Sequence, residues 1–121
     1  NINAALGCAQ LENLDKYVAS KRKVAAEYIE HFKNVDGIDF FVEPENTFSN
    51  YWLSAVVLKD KESQLDFLQQ TNDNGVMTRP IWELMNHLPM FENCENDGLK
   101  NTIWFANRVV NIPSSIRLED L

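Results

Sequence analysis

The sequence has 121 residues, with 18 acidic against 11 basic side chains and a net charge of −7. Hydrophobic residues make up 45% and charged ones 24%, a globular composition that excludes a disordered or fibrous class. The length is that of one domain, able to bury roughly two thirds of its unfolded surface around a single core. The acidity lacks the footprint of a nucleic-acid or anionic-membrane binder, so no nucleic acid and no membrane are expected as partners.

The apolar run Ala55–Leu58 falls far short of the roughly 20 residues needed to cross a membrane. No signal-peptide pattern opens the chain, which points to a cytoplasmic location. The first residue is Asn1 rather than methionine, and we expect a piece of something longer. Two cysteines, Cys8 and Cys94, stand far apart, and with His31 and His87 they show no zinc-ligand spacing, so no metal is expected. Reduced thiols are the simplest expectation for both.

Residues 1–34 carry Leu11, Val18, Ala25 and Phe32 seven apart, with Leu14 and Tyr28 on neighbouring rows, and predict one amphipathic helix that stops at Asp36-Gly37. A coiled coil is disfavoured because Lys21 sits in the row that should be apolar. The small residues Ala4-Ala5-Leu6-Gly7-Cys8-Ala9 predict that this end of the helix packs closely against another surface. A strand is predicted over 38–43, and a stronger, central one over 51–59. A second helix follows over 61–74, with Leu65, Phe67 and Leu68 as its buried side and Gly75 as its stop. Val76–Arg79 reads as a short strand closed by Pro80.

Residues 80–98 are irregular yet hold Trp82, Leu84, Met85, Leu88, Met90 and Phe91. A loop so apolar needs a protein or ligand surface to rest on. Leu99, Ile103, Ala106 and Val110 keep helical spacing and predict a third helix over 99–110, broken by Asn111-Ile112-Pro113-Ser114-Ser115 ahead of a terminal tail. Trp52 and Trp104 are expected in the core. No repeat, linker or low-complexity tract interrupts the chain, so residues 1–121 are expected to form one α+β domain.

The chemistry on offer is sparse. There is no Gly-rich phosphate loop, paired-carboxylate pattern or nucleophile elbow. The lysines (16, 21, 23, 33, 59, 61 and 100) lie on charged helix faces or turns, where an ammonium stays solvated and is a poor Schiff-base former. No catalytic residue is therefore assigned. The best local site is Thr78–His87, where Arg79 leaves a strand end ahead of Trp82 and His87. A guanidinium there can clamp a carboxylate or phosphate, an indole can cover a sugar or base, and an imidazole can carry a proton. Plainer roles stay open: a solvated or salt-bridged arginine, a core tryptophan, a structural histidine. His31 is expected on the surface. The Lys21-Arg22-Lys23 run is expected to be a solvated face, or a phosphate contact if its helix borders a cleft.

Three strings carry a resemblance. Asn1-Ile2-Asn3-Ala4-Ala5-Leu6-Gly7-Cys8-Ala9-Gln10-Leu11 resembles the Asn-x-x-Ala-Ala-x-Gly-x-x-Gln-Leu run of the DegT/StrS family of pyridoxal-phosphate-dependent nucleotide-sugar aminotransferases. Gly75–Pro80, followed by Trp82, His87, Pro89 and Phe91, resembles that family's Gly-Ile-x-x-Arg-Pro…His-x-x-Pro segment. Asn107–Ser114 resembles its closing stretch, where a helix ends in an Asn-Leu-Pro-Ser turn. Within that family the strings resemble the subgroup of 4-aminotransferases of keto-deoxy N-acetylated sugars.

The resemblance implies the C-terminal small domain of a fold-type I transferase: a long N-terminal helix and a small, mostly antiparallel sheet with helices packed on it. It implies an N-terminal large domain of the same chain, carrying the Schiff-base lysine, and a homodimer. It further implies pyridoxal 5′-phosphate in the intact enzyme but not in this piece, an amino donor such as glutamate and a nucleotide-linked keto-sugar acceptor. Arg79, Trp82 and His87 would then line the substrate side, with Asn1 and Asn3 near the cofactor or dimer edge. The competing expectations are a free-standing α+β ligand-binding or regulatory module, whose loop 80–98 would pack on its own core, and a dimerisation module.

Overall fold

A computed structural model describes residues 1–117 and Glu119. Two helices open the chain, α1 (Ile2–Leu11) and α2 (Leu14–Phe32), in place of the single helix expected. The break lies at Glu12-Asn13, where the Asn13 amide side chain donates back to the Ala9 carbonyl and its backbone N–H to Gln10, satisfying the end of α1. No residue of α1 is buried: Ile2, Leu6 and Leu11 are all largely exposed. In α2, Ser20, Val24 and Ala25 are buried, and Tyr28 and Phe32 pack on the core.

Strands β1 (Ile38–Phe40), β2 (Ser54–Leu58), β3 (Arg79–Pro80) and β4 (Val109–Ile112) form one antiparallel sheet in the order β1-β2-β4-β3. Alternation along β2 sends Ser54, Val56 and Leu58 inward. Val56 and Leu58 meet Val110 and Ile112, and α2 and α3 (Lys61–Asp73) cover that face with Tyr28, Phe32, Phe67 and Leu68. The α+β architecture with a small antiparallel sheet is as expected, and β2 is indeed central.

β4 is the main departure. The helix expected over 99–110 is only α4 (Lys100–Ala106), and Val109–Ile112 is an interior strand rather than a helix end and turn. Its register sets Val56 opposite Val110 and Ser54 opposite Ile112. Pro80 does not close β3 but pairs with Val110 at the sheet edge, where a missing donor is tolerated. Along α3 the buried face holds Gln64 instead of Leu65, which is exposed. The Gln64 amide group donates to the carbonyls of Ala106 (3.0 Å) and Val109 (2.7 Å), so a polar side chain clips α3 to the start of β4. Asp60 caps α3 by accepting from Ser63 N–H, and Gly75 (φ 78°) ends it in the left-handed conformation.

Trp52 and Trp104 are not core residues; they are 65% and 44% exposed. The loop 80–98 holds one short 3₁₀ turn, Met85–His87, and leaves Trp82, Met85 and Met90 well exposed. Cys8 and Cys94 are exposed free thiols, and His31 is exposed. Among the described residues no helix is long and apolar enough to cross a membrane, and no group of three or more His, Cys, Asp or Glu could hold a metal ion. The expected tail falls partly on Leu118, Asp120 and Leu121, outside the described residues.

Candidate functional site

Arg79 reaches its position through two sets of bonds. Its backbone pairs with Asn111 of β4, while the preceding Thr78 is buried and tied to the end of α3. The Thr78 and Thr71 hydroxyls share a 2.6 Å hydrogen bond, and the Asn72 amide group donates to the Thr78 carbonyl at 3.1 Å. The guanidinium beyond this anchor is exposed, and among the described residues its hydrogen-bond partner is the Met77 sulfur, at 3.5 Å.

Arg79 borders a groove of about 840 Å³ lined also by Lys21, Trp52, Trp82, Pro113 and Ser114. The Trp52 and Trp82 rings are 6.4 Å apart and inclined by 32°. The groove floor is fixed by Ser114, whose hydroxyl accepts from Ser54 N–H and donates to the Ile112 carbonyl, both at 2.7 Å. Farther on, Arg117 N–H donates to the Ser20 hydroxyl on α2, and the Arg117 guanidinium pairs with Glu27. Two cations and two indoles, with no carboxylate in the lining among the described residues, suit an anionic ligand that carries a flat or CH-rich ring.

Lys21 is not on a solvated face but lines the groove. Its ammonium donates to the carbonyls of Trp52 (3.1 Å) and Ser114 (2.5 Å), and partial burial pulls its pKa below the ordinary lysine value. Arg22 is not on a solvated face either. It makes a two-pronged pair with Glu43 at 2.7 and 3.0 Å, and its guanidinium stacks over Phe48. Trp52, expected in the core, is the lining aromatic that sequence reasoning missed. The signal for Lys21 was present, as the one cation in an apolar row of α2.

Of the expected site residues, the groove brings Arg79 and Trp82 together and leaves the other three elsewhere. His87 lies on the loop, its Nδ1–H directed to the Glu83 carboxylate at 2.5 Å, which leaves Nε2 for another partner. Asn1 and Asn3 sit at the exposed start of α1, where the Asn1 side chain caps the helix by accepting from Asn3 N–H. Pyridoxal phosphate needs an amine to anchor it, a partner for its ring nitrogen and donors for its phosphate. Among the described residues the groove's one lysine is tied to two carbonyls and the lining holds no carboxylate, so these residues do not fit that cofactor by themselves.

The family model described as the DegT/DnrJ/EryC1/StrS aminotransferase family matches residues 1–120. The chain belongs to this family. The GDP-perosamine synthase of Vibrio cholerae is 29% identical over 120 residues, covering 94% of this chain and 32% of the relative. In fold, the aminotransferase TlmJ from Streptoalloteichus hindustanus superposes with a TM-score of 0.84 at 21% identity, over 97% of this chain and 32% of that one. An Escherichia coli GDP-4-keto-6-deoxy-D-mannose-3-dehydratase, solved with bound hydrated PLP, gives a TM-score of 0.66 at 18% identity, over 92% of this chain and 30% of that one. The chain thus spans about a quarter to a third of the length of the relatives it matches.

Proposed function

We propose that this chain is the C-terminal small domain of a pyridoxal-phosphate-dependent aminotransferase that moves an amino group from glutamate to a nucleotide-linked keto-sugar. The observation that carries the reading is the groove in which the Arg79 guanidinium, without an acidic partner among the described residues, stands beside Trp82 in a lining free of carboxylates. The large domain, with the anchoring lysine, lies outside the present sequence, and the intact enzyme is a cytoplasmic homodimer. The exposed loop 80–98 and the bare α1 surface favour this over a free-standing module, which should have packed them on its own core.

When bound in the intact enzyme, pyridoxal phosphate supplies the electron sink. This chain's residues bind and orient. Arg79 holds an anionic group of the substrate through paired N–H donors. Trp82 covers a ring face and keeps water from it. His87, its tautomer set by Glu83, holds or releases a proton at Nε2. Asn1 and Asn3 serve the cofactor side or the dimer edge.

The test begins with the coding sequence upstream of Asn1, where a large domain containing a lysine ahead of a Gly-rich strand is expected and a start codon would end the proposal. In the protein so encoded, glutamate should yield 2-oxoglutarate only when the keto-sugar nucleotide is present. Arg79→Ala should raise KM for the sugar nucleotide about tenfold or more. Unchanged turnover after replacing both Arg79 and His87 by Ala would remove them from the site.

A further inference from the structure

We infer that Trp52 is a further substrate-contacting residue, a second aromatic wall beside Trp82 in the Arg79 groove, and that Lys21 is the positioning residue that holds it there. The inference rests on the reading of this groove as the substrate side. Trp52 keeps 65% of its surface exposed although Tyr51 and Ser54 around it are buried. Its outward placement is built in by the backbone. Tyr51 has φ 45°, a left-handed conformation that costs an aromatic residue free energy and persists only where its surroundings enforce it.

Those surroundings are specific. The Tyr51 hydroxyl accepts from Glu43 N–H at 3.2 Å, and Tyr51 N–H donates to the Ser49 hydroxyl at 3.0 Å. The Asn50 side chain accepts from Trp52 N–H at 2.9 Å. Lys21 then bridges the Trp52 and Ser114 carbonyls, joining the segment that carries the indole to the groove floor. A buried tyrosine in a strained turn, followed by an exposed indole clamped from behind, is a costly arrangement for a residue that merely faces water. With the two indoles 6.4 Å apart and Arg79 alongside, the apolar wall is broad enough for one ring borne on a phosphate group. Nucleobases stack on indoles, and sugar rings present CH groups to them, so both halves of a nucleotide-sugar share this chemistry.

The experiment uses the full-length enzyme. Trp52→Ala should raise KM for the sugar nucleotide about tenfold or more and leave kcat within about threefold, whereas Trp52→Phe should keep KM near the parent value. Lys21→Met should raise KM in the same sense and alter the near-ultraviolet tryptophan circular dichroism. Titrating tryptophan fluorescence separately with GDP, UDP and a hexose 1-phosphate distinguishes the sources. Quenching by a diphosphate that is lost in Trp52→Ala assigns the base to this wall, and loss confined to the hexose phosphate assigns the sugar; either supports the inference. An unchanged KM in Trp52→Ala, with Arg79→Ala crippled, overturns the inference and leaves the functional reading standing. Silence of Trp52→Ala, Trp82→Ala and Arg79→Ala together would overturn both.

Discussion

Glu43 accepts from the Arg22 guanidinium and from Ser49 N–H, and these donors pull its pKa from the ordinary value near 4.5 down to about 2. Because the folded value lies below the unfolded one, this carboxylate stabilises the fold above about pH 4.5, and the contribution disappears as the pH falls toward 2. Unfolding midpoints measured across that window should fall more steeply in the parent than in Glu43→Gln. Parallel curves would show that the pair does not survive in solution. The pair fastens the 43–51 loop to α2, so its loss should also loosen the turn at Tyr51. None of this was visible in sequence, where Lys21-Arg22-Lys23 is only a run of three charges. Partial burial gives Lys21 and Arg22 separate partners, and local spacing carries no record of a glutamate so far along the chain.

At the scale of elements, Gln64 shows how a polar residue can occupy a core position. Its amide group satisfies two carbonyls where α4 gives way to β4, and its oxygen accepts from the Lys61 ammonium at 2.8 Å. Gln64→Ala leaves those carbonyls without donors and opens a void, and should cost about 2–3 kcal/mol in urea unfolding. A loss below about 0.5 kcal/mol would mean that water replaces the amide. The order of the first elements was legible in sequence: the apolar rows of α2, the β-branched run of β2, and Asp60 and Gly75 bracketing α3. β4 was not, because Leu99, Ile103, Ala106 and Val110 fit a helical spacing while Val109-Val110-Asn111-Ile112 is too short to announce a strand. Pairing with β2 and β3 decided the conformation there, as tertiary context commonly does for short apolar runs. Of the site, Arg79 and Trp82 were legible as neighbours of a strand end. The contributions of Lys21 and Trp52 emerge only when α2, β2 and the turn after β4 converge.

Across the whole molecule, buried and exposed apolar surface are distributed unevenly. The core cluster of Val56, Leu58, Val110 and Ile112 lies on one face of the sheet, while Ile2, Leu6 and Leu11 on α1 are 87%, 60% and 68% exposed. Such a surface favours association of the 121 residues by themselves, despite a net charge of −7. Leu6→Glu should leave their unfolding free energy within about 0.5 kcal/mol of the parent, since the side chain touches no core. It should also shift sedimentation toward the monomer. A stability loss above about 1 kcal/mol would show that α1 packs on this domain after all.

The position of β4 has a consequence for biosynthesis. The strand that joins β2 to β3 is the last of the four to be translated, so β1 and β2 can pair early as a hairpin, but β3 has no sheet partner and β2 keeps an open edge until Val109–Ile112 has cleared the ribosome. Nascent chains halted before that point should be protease-sensitive and dependent on chaperones, with the main gain in resistance arriving when β4 closes the sheet.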